Sequence, residues 1–232
     1  EQIWTNGKLN ELKTYKENGD FISHKTYNQD GDLIKEIFKE YYENENIKSE
    51  GTIELGKKEG LFKIYHKNGK LHQVGNYVSD LRDGLWNTYF SSGELHEECV
   101  WKNNKQDGFC KLYYENGKLN GEMFYVDGKL NNTFKQYFEN GNLQFESNFK
   151  DGKPKIVKEF YENSQLKGEV YYDENGELKN SKCWDKDGNK IDCNELDQQS
   201  KVVDNIKTTI QTEFSDMSKE EKNKYLDEQK LN

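Results

Sequence analysis

Apolar and polar residues alternate along this chain in short runs, and the runs come back at a fixed interval. With position 0 at Gly60, steps of 24 reach Gly84, Gly108 and Asn132; Glu36 lies one step earlier, and Lys155 follows after a one-residue deletion. Five residues past each start stands a ring, at Tyr41, Tyr65, Tyr89, Tyr113, Tyr137 and Phe160. The next residue is aromatic in five of the six units (Tyr42, Phe90, Tyr114, Phe138 and Tyr161), with His66 the exception. Eleven past the start comes an aliphatic: Ile47, Leu71, Leu95, Leu119, Leu143 or Leu166. Between ring and aliphatic lies Asn68-Gly69, Ser92-Gly93, Asn116-Gly117 or Asn140-Gly141. Asn-Gly between aromatic-rich runs predicts a β-hairpin closed by a two-residue type I′ turn, because that turn needs two residues at positive φ. Self-similarity at this period marks a repeat array.

The turn sets a register that side chains can test. A two-residue turn at Asn116-Gly117 places Lys111 opposite Glu122, and the same rule places Lys135 opposite Glu146, Lys39 opposite Glu50 and Lys63 opposite Val74. Opposite charges meet across strands in three of these four pairs, which stabilises a sheet. The rule also sets Phe38 against Gly51, Phe62 against Gly75, Trp86 against Cys99 and Phe134 against Ser147, a large ring over a small neighbour. The second connection, such as Lys102 to Asp107, reads as a longer polar loop. Looser copies flank the array, at Asn6-Gly7, Asn18-Gly19 and Asp30-Gly31 in front and Asn175-Gly176 and Asp187-Gly188 behind.

The fold class predicted is mainly β: an elongated, single-layer antiparallel meander of repeated hairpins, followed by a C-terminal helical segment. Residues 1–35 form irregular hairpins, 36–166 the regular array, 167–193 further irregular hairpins, and 194–232 an amphipathic cap or tail. In that tail Val203, Ile206, Ile210, Phe214 and Met217 recur at three- and four-residue steps. They predict a helix that either covers the last strand's open edge or docks on another molecule.

Composition sharpens this picture. Only 32% of the chain is hydrophobic and mean hydropathy is −1.18, yet aromatics reach 13%. Disordered chains are poor in rings; here the apolar surface is concentrated in them, which suits a thin two-sided sheet. The net charge of −9, with Arg82 the single arginine, argues against nucleic acid and anionic membrane as partners. The chain opens at Glu1 rather than Met, which reads as a processed or trimmed product.

Four cysteines fall into two local pairs. Cys99 and Cys110 lie opposite each other in the expected register, and Cys183 and Cys193 bracket the Asp187-Gly188 turn, one residue from opposition. Two such pairs point to disulfides and an oxidising compartment. No CxxC occurs and no histidine neighbours either pair, so the spacing does not read as zinc. His72 and His96 share a column one repeat apart, about 9.6 Å by strand spacing, and are expected as exposed strand residues.

The pattern G-x-[FW]-x-x-Y-[YF]-x-N-G-x-L, followed with one departure each by Gly60–Leu71 (His66), Gly84–Leu95 (Ser92), Gly108–Leu119 (Cys110) and Asn132–Leu143 (Asn132), resembles the MORN variant repeat of bacterial proteins, often labelled YwqK-type antitoxins. The resemblance implies a single-layer hairpin array, exported proteins, and roles in protein binding or immunity. It implies no shared catalytic motif.

From the residues themselves, consecutive strand positions point to opposite faces, so the Tyr65 and Phe90 columns face opposite ways and one of them is open. The expected binding surface comprises Tyr65, Tyr89, Tyr113, Tyr137, Phe90, Tyr114, Phe138, Trp86 and Trp101. The Glu50, Glu98, Glu122 and Glu146 column reads as a solvated ion-pair face rather than as paired catalytic acids. The function expected is a non-enzymatic scaffold, without cofactor, that binds another protein from the cell envelope or outside the cell. Alternatives are an immunity protein against a cognate toxin, which would act in the cytoplasm if its toxin does, and a lipid- or glycan-binding surface module.

Overall fold

The computed structural model describes residues 1–193; the helix expected from Val203, Ile206, Ile210, Phe214 and Met217 lies outside the described residues. Among the described residues seventeen strands follow one another. The first six are β1 (Gln2–Thr5), β2 (Lys8–Tyr15), β3 (Phe21–Tyr27), β4 (Leu33–Tyr41), β5 (Ile47–Glu54) and β6 (Lys57–Tyr65). The middle six are β7 (Leu71–Val78), β8 (Leu81–Tyr89), β9 (Leu95–Lys102), β10 (Lys105–Tyr113), β11 (Leu119–Val126) and β12 (Lys129–Tyr137). Then come β13 (Leu143–Lys150), β14 (Lys153–Phe160), β15 (Leu166–Tyr172), β16 (Leu178–Trp184) and β17 (Lys190–Ile191). Each pairs antiparallel with its successor, giving one open sheet. At about 4.8 Å per strand the path across it is roughly 77 Å. Its outermost strands are short, four residues in β1 and two in β17, which limits the edge offered to other chains.

The side-chain register is the expected one: Lys111 opposes Glu122, Lys135 opposes Glu146, Lys39 opposes Glu50 and Lys63 opposes Val74. The turns that produce it are not. Tyr114 N–H donates to the Lys118 carbonyl and Gly117 N–H to the Tyr114 carbonyl. Gly117 is at φ 78°, while Asn116 is not among the positive-φ residues. This is a three-residue loop with a glycine bulge, and the register shift between Leu112 and Tyr113 absorbs the extra residue. The type I′ turns sit at the second connection instead, where two residues at positive φ suffice: Asn103 and Asn104 (φ 50° and 64°), Ser79 and Asp80 (φ 49° and 71°). There Lys102 pairs directly with Lys105, and a two-residue bulge between Gln106 and Cys110 restores Cys99 to Cys110. Position 0 of the repeat lies inside that bulge. Gly60, Gly84, Gly108 and Asn132 are all at positive φ there, which accounts for the residue types chosen.

The Asn of each hairpin loop therefore does a different job from the one its sequence suggests. Asn68 Oδ1 accepts the Lys70 N–H, and its amide donates to the Ser91 carbonyl of the next unit at 2.8 Å. Ring residues six past the start tie units in the same way. Tyr42 donates to the Tyr65 carbonyl, Tyr114 to Tyr137 and Tyr161 to Trp184, at 2.6 to 3.0 Å, and His66 Nε2 lies 2.9 Å from the Tyr89 carbonyl.

Candidate functional site

Because successive residues alternate faces, each unit divides its side chains between two sides. One side is closed. Phe62, Trp86, Cys110, Phe134 and Val157 lie in it, each 4% exposed or less, with Cys99, Met123, Ser147 and Val170 on the strands between. Among the described residues no second layer covers it, and this inner side closes on itself through its own large rings. Phe62 and Trp86 each meet Tyr77 edge-on, at 4.9 and 5.0 Å. The rings lean toward the preceding strand, so the ring above Gly75 is that of Trp86 rather than its register partner Phe62, and Phe62 lies above Gly51.

The other side carries three columns. Five past each start are the tyrosines, half-buried. Tyr65 Oη donates to Glu50 and Tyr137 Oη to Glu122, at 2.7 and 2.8 Å. Three past the start are lysines facing the acids: Lys39 and Lys63 each lie 3.3 Å from Glu50, and Lys135 lies 3.9 Å from Glu122. One past the start is an apolar column that stands in water. Ile37 is 42% exposed, Leu61 53%, Leu85 50% and Phe109 68%. Phe124, opposite Phe109, meets it edge-on at 4.9 Å, and Val100 stands opposite Leu85.

Of the expected binding residues, Tyr65, Tyr89, Tyr113 and Tyr137 are on this outer side. Phe90, Tyr114 and Phe138 are half-buried at the hairpin loops. Trp86 is 3% exposed, and so is unavailable as surface. Trp101 is packed beside it against the core cluster, with the Arg82 guanidinium over both rings at 4.5 and 4.9 Å. His72 and His96 are half-buried rather than exposed, tilted against His66 and Phe90 respectively with ring centroids 4.3 Å apart. Burial pushes His96 below the usual imidazole range. The apolar column was missed, although its signal is legible: an apolar residue one position past the start in four successive units, Ile37, Leu61, Leu85 and Phe109.

Burial pushes the Tyr65 hydroxyl up to about 12, with its hydrogen bond to Glu50 adding to the shift; Tyr137 rises to about 12 through burial and Glu122. Burial alone would raise the Glu50 carboxyl, but the bonds from Tyr65, Lys39 and Lys63 outweigh it and hold it low. For a tyrosine whose folded value is raised, the stabilisation is complete below the ordinary value of 10 and is lost as pH climbs to about 12. Ultraviolet titration of phenolate in the folded protein should therefore show late-ionising tyrosines. E50Q should bring one of them down and leave Tyr137 in place.

Both cysteine pairs are bridged, Cys99 to Cys110 with Cα atoms 4.1 Å apart and Cys183 to Cys193 at 5.1 Å. The first pair is directly opposed. In the second, Cys183 opposes Ile191 and Cys193 reaches it from two residues further on. Glu97 lies beside the first bridge, 5% exposed, and raises Tyr125 further above the tyrosine range after burial has already done so. Among the described residues no helix is long and apolar enough to cross a membrane.

Comparison with known proteins bears on the repeat. No curated protein matches the chain. Among solved structures it is similar to the Tc holotoxin pore of Photorhabdus luminescens, at 12% identity over 74% of this chain and 12% of that one, TM-score 0.26. A TcdB2–TccC3–Cdc42 complex gives 11% identity over 73% and 12%, TM-score 0.20. A Bacteroides fragilis protein with unknown function gives 10% over 63% and 96%, TM-score 0.13. The chain spans about an eighth of the first two, and scores this low carry no conclusion. The MORN repeat variant model matches residues 37–54, 58–79, 82–103, 106–127, 130–151 and 154–174. Each matched segment is one hairpin, from β4–β5 to β14–β15, and together they cover more than half the chain. The chain belongs to the MORN repeat variant family.

Proposed function

We propose that the protein is a non-enzymatic repeat scaffold whose outer side binds another protein, from the cell envelope or outside the cell. The observation that carries this is the Ile37, Leu61, Leu85 and Phe109 column. An apolar strip standing in water marks a contact surface, because leaving it solvated forgoes about 25 cal/mol per Å². Its flank of half-buried tyrosines and lysine–glutamate pairs supplies the polar rim of such a surface. Successive rungs are two strands apart, about 9.6 Å, close to the roughly 10.5 Å rise of seven helical residues. The partner that suits it is an amphipathic helix with an apolar side chain every seventh residue. Two disulfides suit an oxidising compartment.

The triple variant L61S/L85S/F109S tests this reading. It should keep the far-ultraviolet circular dichroism and melting temperature of the parent, yet lose a protein that the parent retains from the native extract. Retention of the same proteins by both would overturn it. The acidic balance of −9 and the immunity role that the repeat's resemblance implies make a basic toxin the first partner to try. Co-expression with a toxin encoded beside this gene should then relieve growth arrest for the parent and not for the triple variant.

A further inference from the structure

We propose that the Cys99–Cys110 pair, once reduced, closes with Glu97 around a single thiophilic d10 cation of the Zn2+ class. The two cysteines are directly opposed on the closed side, 0% and 3% exposed, with Cα atoms 4.1 Å apart. Glu97 stands two residues before Cys99, hence on the same side, and is 5% exposed. Its Oε1 lies 2.6 Å from Cys99 Sγ and 3.7 Å from Cys110 Sγ, and the three ligand atoms all fall within 4.8 Å of one another. Zinc binds thiolate at about 2.3 Å and carboxylate at about 2.0–2.2 Å, so ligand atoms this close can surround one ion. The Gln106 amide, 3.9 Å from Cys99 Sγ, is placed to turn its oxygen into the fourth position.

Opening the bridge takes two electrons from a phosphine, which leaves as its oxide, while water supplies that oxygen and the two thiol protons. It leaves two thiols and the carboxyl in one buried spot. Charging all three without a cation is prohibitive, whereas a divalent ion that displaces their protons neutralises most of that charge. Bridge and metal are then mutually exclusive states of the same residues. The CxxC and histidine that usually announce zinc are absent from both pairs; the third ligand here comes from the strand's alternation. Cys183–Cys193 serves as an internal control, because among the described residues no third ligand gathers there.

The test uses the full chain reduced with a phosphine and titrated with Zn2+ against a chromophoric chelator, then with Cd2+ to record the thiolate charge-transfer band. One cation per chain should bind to the reduced protein and none to the oxidised one. C183S/C193S should keep that binding and C99S/C110S should abolish it. E97Q, which leaves both sulfurs in place, should weaken it at least about tenfold. The proposal is overturned if the reduced protein takes up no cation, if it unfolds on reduction, if E97Q binds as the parent does, or if binding follows the other cysteine pair.

Discussion

Trp86→Ala should cost about 3–5 kcal/mol, while Leu85→Ala, its immediate neighbour, should cost less than about 1 kcal/mol. The two residues alternate faces of β8, and burial separates them: Trp86 is 3% exposed and Leu85 50%. Removing the indole opens a cavity where Tyr77 meets it edge-on at 5.0 Å and the Arg82 guanidinium covers it at 4.5 Å. It also removes the Nε1–H donated to the Asn76 carbonyl at 3.1 Å. For a chain of this size the loss corresponds to a fall in melting temperature on the order of 10 °C. Urea denaturation of both variants is the measurement, and an equal or larger loss at Leu85 would reverse the assignment of closed and open sides.

Gly75→Ala should be nearly as damaging, at about 2–3 kcal/mol or more from overpacking. Its backbone is not the obstacle, since Gly75 is not among the positive-φ glycines. The obstacle is space. A Cβ there would fall 2.2 Å from Trp86 Cδ2 and 2.3 Å from Cε2, inside the body of a rigid ring that has no flexible end to withdraw. The same substitution in a Trp86→Ala background should therefore be almost silent, or slightly stabilising by restricting the unfolded chain. A double-mutant cycle reads this directly as a strong negative coupling. Additive losses would place the indole somewhere other than over Gly75.

These two results also bear on function. The open Leu61, Leu85 and Phe109 column can be altered without disturbing the sheet only because the closed side, one residue along, carries the packing. That separation is what allows L61S/L85S/F109S to test binding rather than folding.

Much of the architecture was legible from the residues alone. A 24-residue period, a turn signal and a charge pair were enough to set Lys111 opposite Glu122 and Cys99 opposite Cys110. The register holds although the turns differ from those expected. A three-residue loop plus a one-residue bulge returns the same register as a two-residue turn, and a two-residue turn plus a two-residue bulge returns the same register as a longer loop. Cross-strand pairs report only the sum. What the pairs could not report was which loop holds two positive-φ residues, or that Asn68 and its equivalents serve as ties to the next unit.

Alternation along the strands determined that Leu61 and Phe62, Leu85 and Trp86, Phe109 and Cys110 face opposite ways. Only the tertiary structure decided which member of each pair is inside. Both sides carry apolar residues, and a single layer has no second layer to mark its core, so parity alone is symmetrical between them. The choice follows from how the sheet's large rings lean and cover one another across successive strands. That depends on the sum of many neighbours' sizes rather than on any local pattern. The indole of Trp86 over a bare Gly75, and Glu97 brought against two sulfurs, are consequences of that collective packing.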